Sequence, residues 1–322
     1  MIDKADFEKK KMIFFYPAQG DIMRFRNDNL LIQNRDGQTK LQITCYGIFL
    51  IFVAGDTTIT TGLLNRANKY GFSICFLNRN LKVYKFIGAR MEGNTLLRKS
   101  QYEYEGFDLA GTIVRNKILN QKNVLNRIRK KTPGLKEAIE KLDEHMLAIE
   151  NNQLVLNEIM GIEGSAARCY FTQIFSIVAW KGRKPRIKSD YINSCLDIGY
   201  TILFNIIDGL VNVFGFDEYY GVLHRCFYMR KSLVCDLMES FRPIIDYCTR
   251  KNVNLNHFRE EDFEIYNGKY TLEWKNSQKY TQTFLEAILE YREEMFTYIR
   301  DFYRAFMKHK PASEFPMFIM EK

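Results

Sequence analysis

The chain lacks any CxxC pair, and its seven cysteines, at 45, 75, 169, 195, 226, 235 and 248, are scattered and odd in number. That excludes a zinc knuckle of paired thiols and a fully paired disulfide framework, and predicts reduced thiols in a cytoplasmic protein. Only six prolines occur in 322 residues, with no low-complexity tract, which excludes a collagen-like or disordered chain. No long apolar run is uninterrupted. The most apolar stretch, 196–216, contains Asp197, Asn205, Asp208 and Asn212, so it reads as a buried helix rather than a membrane span. The first residues, MIDKADFEKKKM, lack the apolar segment of a secretory signal. What the chain has in surplus is positive charge: 47 Lys plus Arg against 38 Asp plus Glu, a net +9 that points toward polyanions.

Up to about residue 88 short alternating, β-branched or aromatic runs are separated by turn residues. Runs 22–25 and 30–33 flank Asn27-Asp28-Asn29, a hairpin signal, and Asp36-Gly37 supplies a second turn before 41–44. Further runs are 48–53, 57–61, 72–77 and 82–87, with one short helix at 63–70 closed by Gly71. Beyond residue 90 the period changes to about 3.6 residues. The predicted helices are 96–104, 109–130, 135–149, 163–179, 190–214, 233–248 and 278–308, with a small hairpin at 263–274 around Asn267-Gly268. The expected fold is α+β in two domains: a small β-sandwich-like domain over 1–88, then a larger all-α domain over 89–322. Charge divides unevenly between regions: residues 1–90 carry +7, residues 91–134 carry +5, and the remaining 188 carry −3. Within that remainder Arg168, Lys181, Arg183, Lys184, Arg186 and Lys188 fall in a stretch without an acid and beside Trp180, a pattern that fits either a solvated loop or phosphate contacts.

Of four histidines, His224 stands apart, because Asp236 and Glu239 follow it in an amphipathic segment at i and i+3, on one side of a helix. On one unbroken helix His224 and Glu239 would lie about 22 Å apart, so a shared ion demands a break, placed here at 225–231. Glu163 lies between Gly161 and Gly164 at an expected helix start, where a carboxylate also favours the helix dipole. Carboxylates at i and i+3 also line ordinary solvated faces, so the spacing permits a metal site without requiring one.

Four motifs occur in order: Glu163-Gly-Ser-Ala-Ala-Arg-Cys-Tyr-Phe, Tyr191-Ile-Asn-Ser-Cys-Leu-Asp-Ile-Gly-Tyr-Thr-Ile-Leu, Gly221-Val-Leu-His and Ser232-Leu-Val-Cys-Asp-Leu-Met-Glu-Ser-Phe-Arg-Pro. Together they resemble the CRISPR-associated integrase, the universal spacer-acquisition nuclease family; Ser240 stands where many members have proline. The resemblance implies that Glu163, His224 and Glu239 bind Mg²⁺ or Mn²⁺, with Asp236 close by as a supporting acid and the 193–200 motif buttressing the site. It further implies that a DNA 3′-hydroxyl attacks a repeat-end phosphodiester, and that water in its place gives endonuclease cleavage. Expected partners are double-stranded DNA, gripped by Arg168, Lys181, Arg183, Lys184 and Arg186 with Trp180 or a tyrosine available to stack on an end base, and a second copy bound through the β-domain. Pairs of dimers are bridged in the family by a small second adaptation protein. The competing classes are a non-catalytic DNA-binding scaffold and a stand-alone nuclease for branched DNA.

Overall fold

In a computed structural model the protein is described over residues 8–321, apart from 18–19, 56, 59, 79–82, 89–93, 152, 177–179, 186 and 225–226. It divides into one unit of residues 1–93 with 209–215 and another of 94–208 with 216–322. The first holds the N-terminal strands and the second is mostly helical.

In the first unit β2 (Ile22–Arg26), β3 (Asn29–Gln33) and β4 (Thr39–Thr44) form an antiparallel sheet. The predicted hairpin joins β2 to β3, with Asn27 in the left-handed region at φ 52° as a two-residue turn requires. A second sheet has the order β1 (Lys11–Phe15), β5 (Ile48–Ala54), β6 (Ser73–Leu77), β7 (Val83–Gly88). Here the sandwich-like expectation needs correction, because β5 pairs in parallel with both β1 and β6, and α1 (Thr61–Tyr70) carries the chain across from β5 to β6. The reason is visible in β5, Ile-Phe-Leu-Ile-Phe-Val-Ala, which is buried at every position as a central parallel strand must be. One face contributes Ile48, Ile51 and Val53 to a core shared with Leu30 and Ile32 of the other sheet and Leu63 of α1. On the other face Leu50 meets residue 209, where an added Cβ would lie 3.3 Å from its Cδ2. The run at 57–61 is not a strand: residues 57, 58 and 60 form the approach to α1, which begins at Thr61. Thr60 is extended (φ −97°, ψ 150°), so β-branching acted locally without a partner strand. Gly71 closes α1 at φ 68°, as expected.

The second unit contains α2 (Thr95–Tyr102), α3 (Asp108–Asn126), α4 (Pro133–Asn151), α5 (Leu156–Ile174), α6 (Tyr191–Phe214), α7 (Ser232–Met238), α8 (Arg242–Asn254), α9 (Ser277–Leu289) and α10 (Arg292–Met307), the last residues of α6 grouping with the strands. The predicted hairpin is present as β8 (Phe263–Tyr266) and β9 (Lys269–Leu272). Helix α6 is 24 residues long and holds an 18-residue stretch of mean hydropathy 1.4, yet 83% of that stretch is buried in protein, as its interrupting polar residues foretold. Two expected helices are divided. The 278–308 run bends at Glu290–Tyr291 without glycine or proline, and Tyr291 turns inward, edge-on to Phe318 at 5.5 Å. The 233–248 run breaks into α7, a 3₁₀ turn (Glu239–Phe241) and α8. Pro243 explains this break, because its ring clashes with the carbonyl four residues earlier, that of Glu239, and supplies no N–H to it. The six cysteines among the described residues are free thiols, and Cys226 lies outside them.

Candidate metal centre

Glu163 sits in the middle of α5, not at its start. The helix begins seven residues earlier at Leu156, where Glu158 Oε2 accepts the Val155 N–H at 2.9 Å and caps the first turn, so the dipole reading of Glu163 falls away. The flanking glycines continue the helix, and added Cβ atoms there would meet nothing within 4 Å. Facing Glu163 from α3 is Lys117, whose Nζ bonds Glu163 Oε1 and lies 2.7 Å from Glu239 Oε2. Glu239 Oε1 in turn lies 3.1 Å from Arg242 Nη2. Two carboxylates from separate elements therefore converge on one buried ammonium.

The Pro243 break positions Glu239 for this. Asn120 of α3 reinforces it by donating from Nδ2 to Ser240 O at 3.1 Å and to Phe318 O at 2.9 Å. Asn116, one turn earlier, exchanges bonds of 2.6 and 2.9 Å with the Phe318 backbone, so α3 ties the carboxylate turn to the chain end. Burial pushes the Glu239 carboxyl upward, but Arg242 and Lys117 outweigh it and hold its pKa at about 2. Lys117 is pushed down by burial and raised above its ordinary value by Glu239 and Glu163, so it stays charged. Sequence reasoning missed Lys117. Its signal was present: Asn116, Lys117, Asn120 and Gln121 are polar residues on the buried stripe that Ile113, Val114, Val124 and Leu125 otherwise fill.

His224 is held by a different device. Asp236, fully buried, accepts the backbone N–H groups of Val222 (2.7 Å), Leu223 (2.9 Å) and His224 (3.0 Å), together with His224 Nδ1 at 2.6 Å. Residue 221 must be glycine, since a Cβ there would lie 2.6 Å from Asp236 Oδ2. With every Asp236 contact spent on this loop, the residue orients the imidazole instead of facing an ion, and Nε2 is the ring nitrogen left for one. The His224 imidazole is close enough to Glu239 that a positive charge on it would favour the ionised carboxylate. Among the described residues no three carboxylate, imidazole or thiol groups stand close enough to clasp an ion as they are; the ammonium occupies the space between the carboxylates.

The donors nonetheless suit a hard divalent cation. Glu239 Oε2 is buried and accepts no well-aligned hydrogen bond, despite its closeness to Lys117. Two carboxylates and one imidazole form an oxygen-rich set of the kind Mg²⁺ and Mn²⁺ take, with no thiol among them.

A cavity of about 420 Å³ opens beside this cluster, lined by Lys117, Glu163, Arg168, Arg183, Tyr200 and Arg242 among others. Arg168, Lys181 and Lys184 are exposed, whereas Arg183 is tied down: Nη2 pairs with Asp197 at 2.6 Å, Nη1 donates to Asn193 Oδ1 at 2.9 Å, and the guanidinium lies over Tyr200. The 193–200 motif thus pins the basic loop onto α6. Arg186 lies outside the described residues. Trp180, half-buried, is held in place: its Nε1 donates to Asp190 Oδ1 at 3.1 Å and its ring packs edge-on against Phe171 and Phe175. Deeper in the cavity the Asp246 carboxyl, hydrogen-bonded by the Tyr200 hydroxyl, is pushed up by burial from 3.8 to about 6. The folded state therefore binds more protons than the unfolded one between these values, and stability falls as pH rises through them, by up to about 3 kcal/mol. Denaturant unfolding of Asp246→Asn beside the parent is expected to show the variant gaining that difference between pH 3.5 and pH 7; a difference that does not change with pH would remove Asp246 as its source.

Comparison with known proteins bears on the whole chain. The family model for CRISPR associated protein Cas1 matches residues 16–286. A CRISPR-associated endonuclease Cas1 of Thermodesulfovibrio yellowstonii is 31% identical over 225 residues, covering 66% of this chain and 71% of that protein. Among solved structures, a Cas6-RT-Cas1–Cas2 complex aligns with a TM-score of 0.79 at 19% identity over 98% of this chain, which spans 36% of that longer one. A casposase bound to its integration product aligns with a TM-score of 0.76 at 17% identity, over 98% of this chain and 95% of that one. The strand-bearing N-terminal region, the helical remainder and the family match over most of the sequence together lead to one conclusion: the chain belongs to the CRISPR-associated Cas1 family.

Proposed function

We propose that this protein is a cytoplasmic, divalent-metal-dependent DNA integrase and endonuclease that inserts short DNA fragments into a CRISPR array by 3′-hydroxyl attack on repeat-end phosphodiesters. The observation that carries the reading is the convergence of Glu163 and Glu239, from separate elements, on one buried cationic position beside a basic cavity. Its relatives' names as CRISPR-associated endonucleases and its likeness to a casposase bound to integration product support it.

Glu163, Glu239 and His224 would hold Mg²⁺ or Mn²⁺, and the ion supplies charge stabilisation at the attacking and leaving oxygens of the phosphodiester. Asp236 fixes the imidazole. Arg242, packed 4.8 Å over the Tyr200 ring, and the exposed Arg168 add positive field along the cavity wall, where the phosphate charge grows as the bond breaks. Arg168, Lys181 and Lys184 serve as backbone contacts near the reacting end, while Arg183 shapes their loop. Partners on this reading are duplex DNA, a second copy of the chain through the strand-bearing unit, and the small second adaptation protein that bridges dimers. The likeness to a Cas1–Cas2 assembly supports the last of these.

The deciding experiment is joining of a short duplex to a supercoiled plasmid bearing the cognate array, with Mn²⁺ or with chelator, and with or without the small partner. Joint molecules are expected only with metal. Equal joining in chelator would remove the metal from the reaction, and no joining or nicking under any condition would favour a DNA-binding scaffold.

Lys117 makes a further expectation possible, since a divalent ion entering between Glu163 and Glu239 must displace its ammonium. Lys117→Met is expected to tighten Mn²⁺ binding by roughly tenfold, about 1.4 kcal/mol, and to lower the melting temperature of the metal-free protein. Calorimetric Mn²⁺ titration checks this, and equal or weaker binding would show that the ammonium does not compete for the site.

A further inference from the structure

The +5 charge of residues 91–134 finds no use at the carboxylate site apart from Lys117, and four of its basic residues cluster at Arg127, Arg129, Lys130 and Lys131, just past the end of α3. In the fold this cluster borders a hollow of about 550 Å³ where the C-terminal ends of α3, α5 and α8 meet. Arg127, Arg129 and Lys130 line it from one side and Arg250 and Lys251 from another, and among the described residues no acidic one lines it.

Cations at helix C-termini have an ordinary use in offsetting the dipole, so the magnitudes matter. Each C-terminus carries about −0.5 elementary charge, roughly −1.5 for three, against five lining cations. The carbonyls are also already served. Lys131, outside the hollow, donates to Leu125 O and to Asn126 O at 3.3 and 2.7 Å. Arg250 donates to Ile174 O at the end of α5, and Arg127 to Met320 O at 2.8 Å while lying over the Tyr247 ring. The side chains of Arg129, Lys130 and Lys251 have no hydrogen-bond or ion-pair partner among the described residues, and all three are exposed. Thr132, Gln173 and Ser176 add neutral hydrogen-bonding groups to the wall. Uncompensated cations around a polar hollow match the chemistry of a phosphate diester.

Its place relative to the metal centre sets the spacing. Lys117 on α3 to Arg127 just past its end, Glu163 to Gln173 on α5, and Glu239 to Arg250 into α8 each span ten or eleven residues, so three helices run about 15 Å from the carboxylate cluster to the hollow. Along duplex DNA, with one phosphate per ~3.4 Å on each strand, this distance is four or five base pairs. We propose that the hollow walled by Arg129, Lys130 and Lys251 is a second phosphate-binding site, which holds the backbone of duplex DNA about four or five base pairs from the reacting phosphodiester. The proposal rests on the integrase reading, and it gives the enzyme a clamp that fixes the angle of the duplex, not only the position of its end.

The test is fluorescence-anisotropy binding of duplex DNA to the full chain in chelator, across a salt series, with the parent and with an Arg129→Ala, Lys130→Ala, Lys251→Ala triple variant. These residues lie far from the metal ligands. The variant is expected to bind at least tenfold more weakly near 0.1 M salt, with its log–log salt slope shallower by nearly three, about 0.9 for each lost cation, at an unchanged melting temperature. The parent should also gain affinity when the duplex grows from three to eight base pairs beyond the reacting end, a gain the variant should lose. Unchanged affinity and slope would overturn the proposal while leaving the integrase reading intact, whereas a parent that neither binds nor joins DNA would overturn that reading instead. Two more outcomes count against the proposal: a lower melting temperature with unchanged DNA binding, which assigns the cations to dipole compensation, and stabilisation of the parent alone by millimolar inorganic phosphate with an unchanged DNA slope, which assigns the hollow to a small anion.

Discussion

Glu239→Gln is expected to lower strand transfer at saturating Mn²⁺ by about 10³-fold or more, equivalent to roughly 4 kcal/mol of transition-state stabilisation. The substitution removes one negative charge and little volume. Lys117 keeps its bond to Glu163, and Arg242 keeps its stacking on Tyr200, so the fold should survive the change. Glu239→Ala would be a poorer test, because stripping the carboxylate from beside two cations in a buried cluster costs about 3–5 kcal/mol of stability and mixes unfolding with lost chemistry. Glu163→Ala and His224→Ala are expected to fall by a similar factor, through the other carboxylate and the imidazole. The measurement is joint-molecule formation alongside circular-dichroism melting. Full activity in any of the three would take that residue out of the metal set. Because Glu239 is held at about 2, its carboxylate is ionised across the neutral range, and no onset of activity near the usual carboxyl pKa should come from it.

Much of this was legible in the residues, for reasons that differ from element to element. The β2–β3 turn was readable because Asn27-Asp28 has the backbone chemistry a two-residue hairpin needs, and the β8–β9 turn because Asn267-Gly268 does too, with φ values of 49° and 72°. Parallel pairing in the first unit was not readable from alternation. What marks it is the continuous burial of β5, a property of where the strand sits in the sheet and not of its period. At the site the identities of Glu163, His224, Asp236 and Glu239 came from motifs, but their division of labour came only from geometry. Asp236 and Glu239 share an i,i+3 spacing in sequence, and a continuous helix would have turned both toward one ion. Pro243 ends that continuity at Glu239, leaving Asp236 in α7 to bind the His224 loop while Glu239 turns to Lys117. The basic loop shows the limit of reading charge alone: Arg183 and Lys184 look alike in sequence, yet the first is spent on Asp197 and Asn193 and the second is exposed.

Asp236→Ala is expected to be the most damaging substitution for stability in the helical unit. In the folded protein its carboxylate has no exposure and satisfies four donors, three of them consecutive backbone N–H groups of residues 222–224. Each N–H left buried without an acceptor costs about 1–3 kcal/mol, and partial rewetting of the loop brings the total to roughly 4–6 kcal/mol, or about 10–20 °C in melting temperature. Asp236→Asn separates the two parts of this effect. Its amide keeps one acceptor for the loop but presents an NH₂ group where a second oxygen had received donors, so it should lose about half as much stability. It should also lose most strand transfer, because the imidazole no longer has a carboxylate to fix its tautomer and direct Nε2 toward the ion. Thermal melts and joining assays on both variants decide the matter. A loss below about 1 kcal/mol for Asp236→Ala would mean that the 221–224 loop holds itself without the carboxylate, and full joining by Asp236→Asn would mean that His224 needs no partner to take its place at the site.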